Sequence, residues 1–294
     1  MKYRVIFLAF LALFLIWQAC DIIDDPIIQQ PGGNGGNGND TIPDTIIVVK
    51  RVLIEEFTGH HCPNCPGGAL AVESLIAEYG DQIVAVSVHT NYFGRPTVSF
   101  PADYRTTAGT AIDIFFGMEA GLPSGMVNRS GYPSGTHSLG PDELHGRVIE
   151  MLEDEPVLDV TMALEYNASN RNAELVVNVK TLAEIQRTMY LSVFITEDSI
   201  VSPQKNNNPA HGPTPEILDY VHRHVLRDAV NDTWGDVLCD GSLLLPPGTA
   251  YSTTFNYTLA AEWVENQCAF VAFVYDGETY EVLQAVEVKV KLND

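Results

Sequence analysis

Two cysteines lie two residues apart, in Cys62-Pro63-Asn64-Cys65, between an apolar run and a segment of helical periodicity. Residues 50–57, KRVLIEEF, have the apolar centre of a strand, and Thr58-Gly59-His60-His61 reads as a turn. Leu70, Val72, Leu75, Ile76 and Tyr79 then recur at helical spacing. A strand must therefore run into a tight turn, and a helix must start at sulfur. A cysteine at a helix start faces unpaired N–H groups and the positive end of the helix dipole, which favour the thiolate. On this reading Cys62 is the exposed nucleophile and Cys65, one turn inside, resolves a mixed disulfide. A protonated His60 or His61 beside Cys62 lowers the thiol pKa further and makes the disulfide more oxidising. Two other readings stay open. The pair is a structural disulfide, or His60, His61, Cys62 and Cys65 hold copper or zinc. No second Cys-x-x-Cys completes a four-thiolate zinc site, and Pro66 stands where covalent haem attachment needs His. No cofactor is expected.

Residues 82–89 form a second strand candidate, and residues 102–116 and 142–153 two more helices, which suggests an α/β layer fold. Residues 52–65 resemble the active-site strand and turn of thioredoxin. The resemblance implies that Glu56, six residues before Cys62, is a buried acid that helps move the proton of the resolving thiol. Gly121-Leu122-Pro123-Ser124-Gly125 resembles the loop whose cis-proline faces the cysteine pair, followed by a strand through Met126 and Val127. The long spacing from Cys62 to Pro123 suits an inserted segment around residues 92–104. More narrowly, EEFTGHHCPNCP together with GLPSGMVNR resembles the Omp twenty-eight family of outer-membrane lipoproteins, and the likeness extends over nearly the whole mature chain. That family supplies no defined activity. His61 departs from the aromatic residue usual before the first cysteine, so the resemblance leaves reduction potential and partner open.

The N-terminus reads as an export signal over residues 1–19. Lys2 and Arg4 precede an apolar run from Val5 to Trp17, too short for the roughly 20 residues of a membrane span. Ala19-Cys20 resembles a bacterial lipobox, which implies lipidation of Cys20. Residues 20–45 form a tether. Asp21, Asp24 and Asp25 resemble a surface-display signal, and residues 32–39 are a Gly/Asn tract that cannot pack a core. Such a tether spans roughly 25–30 Å on average. Asp40-Thr41-Ile42 and Asp44-Thr45-Ile46 resemble short O-glycosylation motifs. The expected location is the outer membrane, lipid-anchored, facing the periplasm or the cell surface. With 16 Lys and Arg against 38 Asp and Glu, the formal charge is -22. That balance excludes direct nucleic-acid binding and leaves the lipid on Cys20, not a basic patch, as the membrane contact.

Around Pro156 the pattern changes to strands. Residues 157–166, 174–182, 189–196, 251–259, 269–275 and 280–290 alternate or run apolar, with Asp276-Gly277 as a hairpin turn. The expectation is an all-β immunoglobulin-like sandwich over residues 156–294, following an α/β thioredoxin-like domain over residues 46–155. Cys239 and Cys268 are expected to form a structural disulfide in an exported protein. Residues 202–236 read as a long loop with a short helix docked on either domain. The loop carries His211, His222 and His224, the last two spaced as neighbouring ligands on an extended strand, and Arg223 and Arg227 as cations for an interdomain contact. The expected function is thiol–disulfide exchange on an exported protein substrate. The alternatives are a surface binding or assembly protein that uses the sandwich, or a metal carrier.

Overall fold

Strand β1 (Val52–Thr58) is buried along its whole length, and its alternation sets up two cores. The computed structural model describes residues 48–90 and 92–292, and of residues 119 and 120 only the backbone. The expected signal, Cys20 and the expected tether lie outside the described residues. Val52 and Ile54 face α1 (Cys65–Tyr79) and α3 (Pro141–Leu152), packing with Val72, Leu75, Leu144 and Val148. Leu53 and Phe57 face α2 (Thr107–Phe116), packing with Ile112, Phe116 and Met126. β2 (Ile83–His89) runs parallel to β1, and β3 (Ser124–Val127) antiparallel to it on the other side.

The helix boundaries follow from local chemistry. Pro66 sits in the first turn of α1, where its missing N–H costs no hydrogen bond. Thr106 caps α2 by accepting the Gly109 N–H at 2.8 Å, and Gly117, at φ 70°, ends it. Among the described residues no helix is long and apolar enough to cross a membrane.

The remaining strands are β4 (Leu158–Asn167), β5 (Asn172–Thr181), β6 (Thr188–Glu197), β7 (Ile200–Val201), β8 (Gln204–Lys205), β9 (Glu216–Ile217), β10 (Val221–His222), β11 (Val225–Ala229), β12 (Asp236–Asp240), β13 (Ala250–Thr258), β14 (Cys268–Asp276) and β15 (Val282–Lys289). The described chain is thus mostly β-sheet with a few helices. β13-β5-β4 form one sheet, which packs on β6, β14 and β15 through Leu175, Val177, Val193, Ile195, Phe270 and Val274. The expected β-sandwich is present. Its inner sheet differs from an isolated sandwich, because the other face of β6 and β14 is buried too. Phe194, Val271 and Phe273 join the core under α2.

That sheet does not stop at the sandwich. The order β15-β14-β6-β11-β2-β1-β3 runs through both halves of the chain. β11 makes the join, parallel to β2 at Val225↔Ser87 and antiparallel to β6. The halves expected as 46–155 and 156–294 therefore share one sheet. The expected 202–236 loop is corrected as well. It holds β8 to β11, and residues 199–224 form an arm of two short antiparallel ladders, β7 with β10 and β8 with β9. Strands of two residues carry no periodicity in sequence, so only tertiary pairing reveals them.

The expected disulfide between Cys239 and Cys268 is also corrected, since both are free thiols. Cys239 lies opposite Met189 and Cys268 opposite Glu197 on β6. At ~3.3 Å per residue that separation is roughly 26 Å, far beyond the ~7 Å limit for bridged Cα atoms.

Candidate functional site

The loop after β1 is drawn tight by its own backbone. Cys62 N donates to Gly59 O at 2.9 Å, and His61 N donates to Phe93 O at 3.0 Å. A side chain at residue 59 would meet the Phe93 carbonyl carbon at 2.5 Å, so glycine is required there. Cys65 opens α1, and its sulfur is bonded to that of Cys62, with the Cα atoms 5.4 Å apart. The cysteine pair thus sits where the sequence reading puts it, but the expected exposure of Cys62 is wrong. Cys62 is 2% exposed and Cys65 1%.

The histidines are corrected as well. His60 and His61 both direct Nε2 at the carbonyl oxygen of Arg95, at 2.8 and 3.0 Å, and Phe100 packs against both rings. Two nitrogens sharing one acceptor must each donate an N–H. Burial pushes both imidazoles below the ordinary histidine range. That disfavours the protonated form through which either ring would activate Cys62. Among the described residues no group of three or more His, Cys, Asp or Glu is arranged to hold a metal.

Beneath the pair, Glu56 is buried on the α1 side of β1. Its Oε2 accepts the Ser87 hydroxyl at 2.9 Å, while Oε1 has no hydrogen-bond partner. Burial raises its pKa to about 7, opposed by the Ser87 bond and the His224 charge and aided by Glu73. Pro123, which follows a cis peptide bond, completes the cluster. A Cβ at Gly68 would lie 2.7 Å from Pro123 Cβ and 3.1 Å from Glu56 Oε1. The absent side chain lets the turn of α1 that begins at Cys65 settle onto both Glu56 and Pro123.

The arm bonds to the backbone of the cysteine loop. Gln204 Nε2 donates to Cys62 O at 2.9 Å, Lys205 N to His60 O at 2.9 Å and Asn207 N to Pro63 O at 3.0 Å. The Asn207 side chain donates to Asn64 Oδ1 at 2.6 Å. The His211 ring lies 3.0 Å from where a Gly67 Cβ would be. At the arm's base Glu73 of α1 meets His224 at 3.1 Å and Arg223 at 3.5 Å, so Arg223 does bridge to the first half. Arg227 pairs with Glu197 at 3.5 Å and also lies over the Tyr104 ring of the first half, 5.9 Å from its centroid. A cavity of about 190 Å³ between α1 and the arm has Glu56, Ser87, Glu73 and Tyr220 in its wall. His222 and His224 do not act as neighbouring ligands. His222 turns inward against Tyr104 and His89, and burial lowers its pKa to about 4. Sequence reasoning missed Ser87, Arg95, Gln204 and the Glu73 pairing. A parallel register of β1 and β2 would have suggested Ser87, which lies opposite Glu56. Nothing local points to the others.

Comparison with known proteins gives the fold and the family. No curated protein matches the sequence. HBP35 of Porphyromonas gingivalis superimposes with a TM-score of 0.61 at 19% identity, over 83% of this chain and 76% of that one. A protein of Agrobacterium tumefaciens gives 0.50 at 13% identity, over 84% and 97%. At these identities the likeness concerns the fold alone. A domain of the outer membrane lipoprotein Omp28 from Porphyromonas gingivalis gives 0.32 at 20% identity, over 48% and 93%. Residues 111–294 match the family model described as outer membrane protein Omp28, a region that begins after the cysteine pair and is shorter than the near-complete likeness expected from the motifs. The chain belongs to the Omp28 family of outer membrane proteins.

Proposed function

We propose that the Cys62–Cys65 pair exchanges disulfides with an exported polypeptide, in a thioredoxin-like unit over residues 46–155 of a lipoprotein anchored through Cys20. The observation that carries this reading is Glu56. It is a buried acid with a pKa near 7, under the helix turn that begins at Cys65. An acid so tuned can give or take a proton at neutral pH. The β2-β1-β3 order and the contact of Pro123 with the first turn of α1 support the thioredoxin-like reading.

The chemistry balances as follows. A partner thiolate attacks Cys62 Sγ and forms a mixed disulfide. The Cys62–Cys65 bond breaks, and Cys65 leaves as a thiolate that takes the Glu56 proton. A second partner thiolate attacks the partner's own sulfur in the mixed disulfide. Cys62 leaves as a thiolate and is protonated from water. The partner is oxidised to a disulfide as the pair is reduced to two thiols, and the reverse sequence reduces a partner. The test is oxidation of a peptide dithiol by the purified full chain. The wild type should oxidise it and Cys62→Ser should not. An inert wild type, or an unchanged rate in the variant, sinks the reading.

The burial of both sulfurs favours a second reading, in which the disulfide is a staple and the β-sandwich of residues 156–294 binds a surface partner. A partner retained equally by wild type and Cys62→Ser would support it.

A further inference from the structure

We propose that the arm of residues 199–224 fills the groove in which an extended polypeptide docks on the Cys62–Cys65 pair, and that a partner enters by displacing it. The inference rests on the exchange reading and supplies its substrate class.

The arm meets the cysteine loop through its main chain. The main-chain N–H groups of Lys205 and Asn207, two residues apart, donate to the carbonyls of His60 and Pro63. N–H groups two residues apart on an extended segment point the same way, so one edge of the arm faces the carbonyls of the cysteine turn. The acceptors are backbone carbonyls, so another polypeptide can take them regardless of its sequence. Gln204 adds one side-chain selection, since its amide sits between the carbonyls of Gly59 and Cys62 at 3.4 and 2.9 Å. The arm itself holds no cysteine, so it occupies the place without reacting.

The arm is built to keep its own shape when it leaves. Buried Asn206 donates to the carbonyls of Asn208, Gly212 and Pro213, and both ladders lie wholly within the arm. Its two ends turn at Ser199 and His224, with φ of 58° and 51°. These are single non-glycine residues in the left-handed region, placed where the arm leaves the frame. Opening breaks the contacts of Gln204, Lys205 and Asn207 with the loop, of Ser202 and His222 with Tyr104, of His222 with His89, of the His224 carbonyl with Ser87 N, and of His224 and Arg223 with Glu73. The internal bonds remain.

The test compares the full-length wild type with Gln204→Ala/Asn207→Ala. Disulfide reduction by excess dithiothreitol is followed by alkylation and mass. Binding of a fluorescent, carboxymethylated, permanently unfolded polypeptide is followed by anisotropy. With three side-chain hydrogen bonds to the loop removed, reduction should quicken by about tenfold and the probe should bind correspondingly tighter. Equal reduction rates would overturn the proposal. Faster reduction without tighter probe binding would overturn the groove assignment. Faster reduction with tighter binding, but no oxidation of a peptide dithiol, would leave the groove standing and sink the exchange reading. Should the double variant not fold, Asn207→Ala alone, at an exposed side chain, should show the same direction at about threefold.

Discussion

The two faces of β1 carry adjacent glutamates, and the structure treats them in opposite ways. On the α2 face Glu55 is gripped by Arg129 through two bonds of 2.7 Å, with both side chains 1% exposed. Phe116, Phe273 and Tyr275 surround the guanidinium. On the α1 face Glu56 has only the Ser87 hydroxyl and an orphaned oxygen. The paired acid is a structural charge, because its partner offsets desolvation. The unpaired one avoids the penalty by holding a proton, and so becomes a group that titrates near neutrality. Burial is common to both faces, and the partner decides the chemistry.

The contrast breaks most sharply at Arg129. Arg129→Met leaves Glu55 as an uncompensated buried carboxylate and should cost about 3–5 kcal/mol in chemical unfolding. Adding Glu55→Leu should recover most of that loss. Single and double variants of equal stability would mean that the pair is not the anchor of this face.

Glu56→Gln tests the other face through pH. A carboxyl whose folded pKa is raised binds more protons folded than unfolded. Its favourable contribution is therefore complete below the unfolded value, near 4.5, and is lost as pH rises towards about 7. The wild type should lose about 3 kcal/mol across that window from this group. The variant should lack that loss while matching the wild type at pH 5. His222 works in the opposite sense. Its folded pKa of about 4 lies below the unfolded 6.5, so stability falls as pH drops between them. The Glu56 effect must therefore be read as a difference between variant and wild type. Identical pH profiles would show that Glu56 does not titrate as described.

The smallest effect belongs to Ser87. Ser87→Ala removes the one hydrogen bond to Glu56, at a cost of about 1 kcal/mol above pH 7. It should also move the Glu56 step to higher pH, because that bond favours the carboxylate. An unmoved step would show that Ser87 does not hold it.

Much of the site was legible where chemistry follows chain order. The strand, the turn and the helix start at Cys65 are local, and Glu56 was implied by the resemblance to the thioredoxin active-site strand. The sandwich strands were found from their alternation. Other features depend on distant chain. Gln204 reaches Cys62 across 142 residues, and Arg129 reaches Glu55 across 74. β11 joins the halves from inside what looked like a loop. The pairing expected for Cys239 and Cys268 failed for the same reason. Two leftover cysteines say nothing about which positions along β6 their strands will meet.

The sequence alone determined which groups sit at the turn, two sulfurs, two histidines and an acid, because their spacing is a property of neighbours along the backbone. Tertiary structure decided their state. Exposure, protonation and access depend on surface removed from water by segments far away in the chain. An arm laid over Cys62 and a carbonyl shared by two imidazoles therefore leave no mark in the local pattern.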